Sequence, residues 1–480
     1  MKHSLTRAII PTVAIATILG LTPIHTANAQ ENTPGTAHNN LKEEKFIETF
    51  KTEYYNEWKK TLTHNELESL ELLKYSDLNG LLREVNGDID LIKIDLLDSD
   101  EIRKSILTLD KAVMKSKKIE KDIHVYKYLT DKDIDFKLGN LYSKDMTSID
   151  RDKYHLISKD FKYGIFSGYL DPHLTKQEAI TKGPILLELK IPKGTHVGYL
   201  DNNEHILLPR NQGVNITKSH IIVENGKERI KFEAEIVDEK KVMDEIKDKE
   251  NTINKLFREA IEKGTSNHRE NEIPIENKLV NIVTNSLNAS VTVNRAENLL
   301  HVLTQNIPSD LLIKTLEQMK HDAPITITDY NWDTVDKKFS LNMTKQYEEP
   351  LGIYNYRNKQ LVLNLSKHEQ QVDSLPEILD GLPAPKSGVQ TLLHEFGHAV
   401  DDLILNNSSQ TFGFDQVYKN EKDNIKIEKY MQKNQREFFA SAFGYIFSPN
   451  PQYQMRIKQE APKTVEFIQN ELKMKGLLKK

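Results

Sequence analysis

The chain has 480 residues, a formal net charge of −5 and no cysteine. Its length exceeds that of one typical domain and suffices to bury a large core, so we expect several domains. The mild acidity argues against a nucleic-acid partner, and the lack of cysteine excludes disulfides and a thiol nucleophile.

The first residues have the pattern of a secretory signal peptide. A basic start with Lys2 and Arg7 is followed by an apolar run over residues 8–21 and by the small residues Ala27-Asn28-Ala29. We predict a signal peptide over residues 1–29. The apolar run is too short for a stable anchor, and no later segment is long and apolar enough to span a bilayer. The sequence therefore predicts a secreted, extracellular protein.

Residues 30–40 are polar, and their composition predicts a disordered leader. The sequence from residue 41 to about residue 118 favours helices. Its clearest signal is an aromatic and apolar stripe at every fourth position, which comprises Phe46, Phe50, Tyr54, Trp58 and Leu62. This spacing predicts one amphipathic helix, and we interpret the stripe as core.

Short apolar runs typical of β-strands follow from residue 107 to residue 237. They lie at residues 109–113, 122–128, 184–190, 191–195, 198–200, 206–210, 219–223 and 231–237. The last two flank Asn225-Gly226, which predicts a β-hairpin because this dipeptide favours the tight turn that joins antiparallel strands.

The order and the sequences of these runs resemble the ADP-ribosyltransferase domain of bacterial binary toxins over about residues 99–237. The resemblance places the family's NAD-binding arginine at Lys127, its Ser-Thr-Ser core at Phe166-Ser167-Gly168 and its catalytic glutamate at His205. Histidine cannot supply the negative charge of a carboxylate. We therefore expect an ADP-ribosyltransferase-like domain with N-terminal helices over residues 41–237 that does not catalyse the transfer.

Residues 238–270 are rich in charge, with apolar positions at helical spacing, and predict a charged helical linker. Residues 271–480 form the last predicted domain. Within it, residues 325–327 and 361–365 have the composition of strands, and the loop at 368–387 precedes the most informative motif of the chain. Trp332 either lines a proline-accepting subsite or belongs to the core.

This motif is His394-Glu395-Phe396-Gly397-His398. Two histidines four positions apart lie on one face of a helix, where both can bind one metal ion. Glu395 beside them can act as the base for a metal-bound water.

A candidate third ligand lies downstream, in a predicted helix with Asn434 as its N-cap. Glu437 is flanked by phenylalanines, and a buried carboxylate needs a cation or a metal. The alternative is a carboxylate on the rim of an amphipathic helix. Two histidines, one glutamate and an open position are typical of a catalytic zinc site.

The sequences HEFGHAVDD at 394–402, EFFASAF at 437–443 and APKTVEFI at 461–468 resemble the catalytic domain of the lethal factor and Pro-Pro endopeptidase family. The resemblance implies that Zn²⁺ is bound by His394, His398 and Glu437, and that Glu395 is the general base. It also implies that Tyr430 faces the site and donates to the oxyanion. Considered alone, a tyrosine here is more often a half-buried packing residue, and only its position seven residues before Glu437 favours the functional role.

One position departs from the family. Ser441 stands where the family has a second glutamate one turn after the ligand, and we expect weaker zinc binding or a reoriented histidine. Asp401 and Asp402 either hold a histidine through its other ring nitrogen or are surface acids.

The predicted fold is α+β and multidomain: a helical N-terminal region, a mixed α/β ADP-ribosyltransferase-like domain, then a zincin-type α+β metalloprotease domain. In the family, the transferase-like domain helps to shape the substrate groove. Zinc would activate a water, and Glu395 would take its proton and pass it to the leaving amine. In zincins the edge strand binds the substrate backbone, and residues 361–365 are either this strand or an internal one.

The predicted function is therefore that of a secreted zinc-dependent endopeptidase, a toxin or virulence factor. Its partner is a protein or peptide substrate outside the producing cell. We expect no nucleic acid and no membrane span, and the sequence does not indicate the oligomeric state. Two alternatives are an active NAD-dependent ADP-ribosyltransferase toxin and a non-enzymatic binding protein.

Overall fold

A computed structural model describes residues 45–92, 99–134, 140–176, 183–200, 205–264, 278–319, 322–339, 341, 350–365 and 388–478. The predicted signal peptide at 1–29, the leader at 30–40 and the loop at 368–387 lie outside these residues. Residues Ile47–Lys480 group into one compact unit. Among the described helices, none combines the length and the apolar character needed to cross a bilayer.

The N-terminal region is helical, as predicted. π-helical turns at Lys51–Asn56 continue into α1 (Glu57–Thr61), followed by α2 (His64–Tyr75), α3 (Leu78–Glu84) and α4 (Ser99–Met114). Phe50, Tyr54 and Trp58 are all buried. A spacing of four residues exceeds the 3.6 residues of an α-helical turn, so the stripe would drift around a straight α-helix. The wider π turns keep it on one side, and the Trp58 indole donates to the Ala112 carbonyl at 2.7 Å.

The prediction of a strand at residues 109–113 is wrong, because this segment lies inside α4. The buried positions of α4 are Ile106, Leu109, Ala112 and Val113. They are spaced three and four residues apart and so belong to one helical face. A short apolar run without its neighbours does not distinguish the two structures.

A five-stranded sheet follows in the order β1-β3-β7-β6-β2. Its strands are β1 (Ile123–Leu129), β2 (Tyr163–Phe166), β3 (Ile185–Ile191), β6 (Gln212–Glu224) and β7 (Lys227–Val237). Two short strands, β4 (Gly198–Tyr199) and β5 (Ile206–Leu207), pair with each other outside this sheet. Helix α5 (Arg151–Asp160) lies between β1 and β2 in the chain. The predicted hairpin is confirmed as β6–β7. Asn225 and Gly226 have φ angles of 50° and 74° in its turn, which both residue types adopt at little cost.

The predicted charged helix is α6 (Glu239–Gly264). It packs against β8 (Val280–Val283), the edge strand of a second sheet. Glu250 accepts the backbone N–H of Ile282 at 2.6 Å, and the Asn254 side chain accepts that of Val280 at 2.9 Å. These side chains satisfy edge-strand donors that would otherwise need another partner. The domain boundaries at residues 238 and 271 stay predictions.

The second sheet has four strands in the order β10-β11-β9-β8. The other three are β9 (Ile325–Thr328), β10 (Gly352–Asn355) and β11 (Gln360–Asn364). Strands β8, β9 and β11 are parallel, and β10 is antiparallel to β11. The interpretation of residues 361–365 as the edge strand is therefore wrong: β11 is internal, and β10 forms the edge.

The remaining helices are α7 (Ala289–Asn306), α8 (Ser309–Gln318), α9 (Trp332–Phe339), α10 (Gly388–Ala399), α11 (Phe412–Glu421), α12 (Gln435–Ile446), α13 (Pro451–Glu460) and α14 (Pro462–Met474). Phe396, Phe438 and Phe443 are fully buried where α10 and α12 meet. Trp332 is buried with Val362 in a separate apolar cluster, and Val362 points to the opposite sheet face from Leu361 and Leu363. The core interpretation of Trp332 therefore holds.

The predicted α+β multidomain class is confirmed.

Candidate metal centre

Two closely packed helices, α10 and α12, carry the candidate site. At Gly397 an added Cβ would lie 3.0 Å from the Ala440 carbonyl oxygen and 3.1 Å from the Phe443 Cβ. Glycine at this position therefore allows the two backbones to approach. The close approach brings the α12 face that carries Glu437 opposite the α10 face that carries the histidines.

The structure brings the three predicted ligands together. The Nε2 atoms of His394 and His398 are 3.1 Å apart. Glu437 Oε2 lies 3.2 Å from the first and 3.4 Å from the second. Ligands about 2.0–2.2 Å from a tetrahedral ion are separated from one another by roughly 3.3–3.6 Å. The observed separations are close to this range, so the group could hold a metal ion.

The hydrogen bonds of the Nδ1 atoms explain why a cation between the three candidate ligand atoms would be favourable. Nδ1 of His394 lies 2.9 Å from Ser441 Oγ, and Nδ1 of His398 lies 2.9 Å from the Tyr356 hydroxyl. When each Nδ1 carries the ring proton, both Nε2 lone pairs point toward the Glu437 carboxylate. Three lone pairs around one point repel one another unless a positive charge lies between them, and a His₂Glu donor set is one that zinc accepts.

The charges of these residues agree with this conclusion. Burial opposes a charge on His394, but the hydrogen bond to Glu437 and the carboxylate of Glu395 outweigh it and raise the pKa of His394. Burial likewise opposes the charge on Glu437, yet the two histidines hold the pKa of Glu437 well below its usual range. The site thus favours one carboxylate together with a cation.

Glu395 lies next to the three candidate ligands but does not belong to that group. It is buried, and its Oε1 is 4.0 Å from His394 Nε2. Its Oε2 accepts the backbone N–H of Tyr354, on the edge strand β10, at 2.7 Å. This contact requires β10 to lie close to α10: a Cβ at Gly352 would lie 3.0 Å from the Glu395 Cγ and 2.9 Å from the Thr391 Cγ2.

Tyr430 lies at the open side of the site, in the 3₁₀ turn Lys429–Lys433. It is 47% exposed, and its ring centre is 6.0 Å from that of His394. Partial burial, the neighbouring carboxylates of Glu437 and Glu395 and a hydrogen bond to Glu437 raise the pKa of Tyr430. The phenol therefore keeps its proton and can donate it in a hydrogen bond.

Asp401 and Asp402 do not hold the histidines. Asp401 accepts from the Ser409 backbone N–H at 3.0 Å and from its hydroxyl at 2.5 Å. Asp402 accepts from the Tyr354 hydroxyl at 2.8 Å and from Lys359. Both aspartates stabilise surrounding segments.

Two groups near the histidines were not singled out by the sequence. The hydroxyl of Tyr356, which follows β10, lies 2.9 Å from Nδ1 of His398, and Glu428, which precedes the 3₁₀ turn, accepts from the Tyr445 hydroxyl at 3.1 Å. No spacing rule predicts these contacts, because they depend on how β10 and the 3₁₀ turn fold onto the two helices.

The positions that match the transferase family's NAD-binding arginine and catalytic glutamate hold other residues, Lys127 and His205. Lys127 forms an ion pair with Asp171, with Nζ 2.6 Å from Oδ1. The ring of His205 packs edge-on against His173 at 3.8 Å between ring centres. Lys127 is thus paired with a protein carboxylate, and His205 packs against another ring.

Comparison with known proteins relates each part of the chain to a toxin family. Residues 267–471 match the family described as anthrax toxin lethal factor, N- and C-terminal domain. Residues 47–239 match the family described as ADP-ribosyltransferase exoenzyme. The chain therefore combines a lethal factor-type domain with an ADP-ribosyltransferase exoenzyme-type domain, as its motifs predicted.

Individual relatives are similar to parts of the chain. The chain is 27% identical to lethal factor of Bacillus anthracis over 416 residues, which cover 83% of this chain and 48% of that protein. It is 33% identical to the Pro-Pro endopeptidase of Clostridioides difficile over 78 residues, or 16% of this chain and 35% of that one. The structure of Plx2a, an ADP-ribosyltransferase toxin from Paenibacillus larvae, is 29% identical with a TM-score of 0.36, covering 41% of this chain and 96% of that one. The chain spans about half the length of the lethal factor relative.

Proposed function

We propose that the protein is a secreted zinc-dependent endopeptidase that cleaves extracellular protein substrates. The observation that carries this proposal is the convergence of His394, His398 and Glu437, with Glu395 directly beside them. The similarity to lethal factor and to a Pro-Pro endopeptidase supports a proteolytic activity and a toxin or virulence role. The peptide library of the cleavage assay includes Pro-Pro sequences, so the assay also tests whether Pro-Pro bonds are cleaved.

The chemistry divides among the residues of the site. Zinc, when bound to His394, His398 and Glu437, would lower the pKa of a water molecule and polarise the scissile carbonyl. Glu395 accepts the proton of the attacking water and delivers it to the leaving amine. Tyr430 donates a hydrogen bond to the oxygen that becomes negatively charged.

The edge strand β10 is our candidate for substrate alignment. It ends the four-stranded sheet, and its Tyr354 backbone contacts Glu395. A substrate strand that pairs with such an edge would pass beside the base. We assign this role to β10 in place of β11.

We further propose that the transferase-like domain assists substrate binding and does not catalyse. The position of the NAD-binding arginine is held by Lys127, which is paired with Asp171. The position of the catalytic acid is held by His205, which cannot stabilise a ribosyl cation with a negative charge.

Metal removal tests the proposed function. The full chain, loaded with Zn²⁺, is incubated with a peptide library that includes Pro-Pro sequences, with and without 1,10-phenanthroline. We expect cleavage that the chelator abolishes and added Zn²⁺ restores, because the water needs the metal to react. The same preparation should not hydrolyse NAD⁺. Cleavage that persists without zinc would contradict the metal mechanism, and NAD⁺ hydrolysis would favour an active transferase.

Replacement of Tyr430 by phenylalanine tests the oxyanion donor. We expect kcat/KM to fall about 10²–10³-fold, as for the loss of one such donor. Zn²⁺ affinity is measured in the same variant and kcat/KM is compared at saturating Zn²⁺, because Tyr430 is also hydrogen-bonded to the candidate ligand Glu437. Tyr418→Phe is the matched control, since its phenol donates to the Gln432 carbonyl at 2.7 Å, away from the ligands. An unchanged kcat/KM in Tyr430→Phe would show that the Tyr430 hydroxyl does not take part in the reaction and that the ring only packs.

A further inference from the structure

Two exposed cations border the candidate site, and each lies over the ring of a tyrosine. Nζ of Lys433 is 5.1 Å from the ring centre of Tyr430, and Cζ of Arg436 is 5.0 Å from the ring centre of Tyr356. The face of an aromatic ring attracts a cation, so these contacts hold both charges in place without removing them from water.

The two tyrosines in turn border the two candidate histidine ligands. The ring centre of Tyr430 is 6.0 Å from that of His394. The ring centre of Tyr356 is 5.9 Å from that of His398, and its hydroxyl lies 2.9 Å from Nδ1 of the same histidine. Each cation is thus one tyrosine ring away from a candidate ligand.

The position of Arg436 in its helix does not explain why the residue is an arginine. It is the second residue of α12, where the positive end of the helix dipole disfavours a cation. Among the residues that the structure describes, none forms an ion pair with it. The carboxylate of the next residue, Glu437, lies 3.2 Å from His394 Nε2 instead. The guanidinium of Arg436 can therefore contact a bound molecule.

The surrounding segment is positively charged. Residues 429–436 contain three cations, Lys429, Lys433 and Arg436, and no acidic residue. All three cations are exposed. A zinc ion would balance the two carboxylates of the inner site, so the charge of this segment would dominate at the entrance. Such a surface attracts and orients acidic groups of a partner.

We propose that Arg436, assisted by Lys433, makes the enzyme favour substrates that carry an acidic side chain close to the scissile bond. A substrate strand that pairs with β10 would pass Tyr354 beside the base and then Tyr356, over which Arg436 lies. Two residues of a strand span roughly 7 Å, so the acidic residue should lie within about three positions of the cleaved bond. A guanidinium can bind its carboxylate through two parallel hydrogen bonds. This inference rests on the proposed function.

A charge scan of one cleaved peptide tests the preference. Each of the three positions on either side of the cleaved bond is replaced singly by Glu, Gln or Lys. At one or more of these positions we expect kcat/KM to be about three- to tenfold higher for Glu than for Gln and lowest for Lys, as for a partly exposed ion pair. The ratio should approach one in about 0.5 M NaCl, because salt screens exposed charges.

Two variants assign the preference to Arg436. Arg436→Gln should remove most of the Glu-to-Gln ratio, and Arg436→Glu should reverse it in favour of Lys. The ratio is taken within one variant at saturating Zn²⁺, so a loss of folded or zinc-loaded protein does not change it. Lys422→Gln is the matched control and should keep the full ratio, since Nζ of Lys422 lies 5.4 Å from the ring centre of Tyr418, away from the ligands.

Peptide binding provides a second readout that does not depend on cleavage. The Kd values of the Glu and Gln peptides are measured by fluorescence anisotropy with Glu395→Gln, alone and combined with Arg436→Gln. We expect the Glu peptide to bind about three- to tenfold more tightly only while Arg436 is present.

The remaining outcomes are distinct. If the unaltered chain cleaves the Glu, Gln and Lys peptides equally well, or if Arg436→Gln keeps the full ratio, the inference is wrong while the proposed function stands. If the unaltered chain cleaves no peptide of the library, the proposed function fails and the substrate preference fails with it.

Discussion

Glutamine in place of Glu395 is expected to lower kcat/KM for peptide cleavage by about 10²–10⁴-fold, the usual contribution of a general base. Glutamine has nearly the same shape, and its carbonyl oxygen can still accept the Tyr354 N–H that holds Glu395 at 2.7 Å. It cannot take a proton from water. Steady-state kinetics with a peptide found in the library screen measures the effect.

Zn²⁺ affinity should be nearly unchanged in the same variant, because Glu395 Oε1 is 4.0 Å from the nearest histidine nitrogen and outside the ligand group. Asp402→Asn is the matched control, since Asp402 accepts from the Tyr354 hydroxyl and Glu395 accepts from the Tyr354 backbone. If Glu395→Gln retains full activity while zinc is bound, another residue must accept the proton.

The sequence predicted those parts of the site that depend on helical spacing alone. His398 lies four positions after His394, and the Asn434 side chain accepts the Glu437 backbone N–H at 3.0 Å as an N-cap should. The meeting of α10 with α12 was implied by the family resemblance, and close packing at Gly397 makes it possible.

Other features depend on tertiary contacts that one sequence does not reveal. The run at residues 361–365 is apolar except for Asn364, and an apolar run of this length does not by itself distinguish an edge strand from an internal one. The true edge, β10, has only four residues and includes Gly352, so it gives a weak pattern. Tyr356 has no periodic relation to the histidines, and only the folded chain shows that its hydroxyl lies 2.9 Å from Nδ1 of His398.

Glu437→Gln should have the largest effect on metal binding. Glu437 Oε2 lies within 3.4 Å of both histidine Nε2 atoms and supplies the only negative charge among the three proposed ligands. An amide oxygen is a much weaker ligand for zinc than a carboxylate. We expect Zn²⁺ affinity to fall by more than about 10²-fold, beyond the range for a residue that only supports a ligand.

The decisive measurement is the order of affinities within one chelator competition series. The unaltered chain and Asp402→Asn should bind Zn²⁺ equally tightly, and Glu437→Gln should bind far less tightly. This order follows from contact: Glu437 Oε2 lies 3.2 and 3.4 Å from the two histidine Nε2 atoms, whereas Asp402 contacts Tyr354. Wild-type affinity in Glu437→Gln would show that the third ligand lies elsewhere.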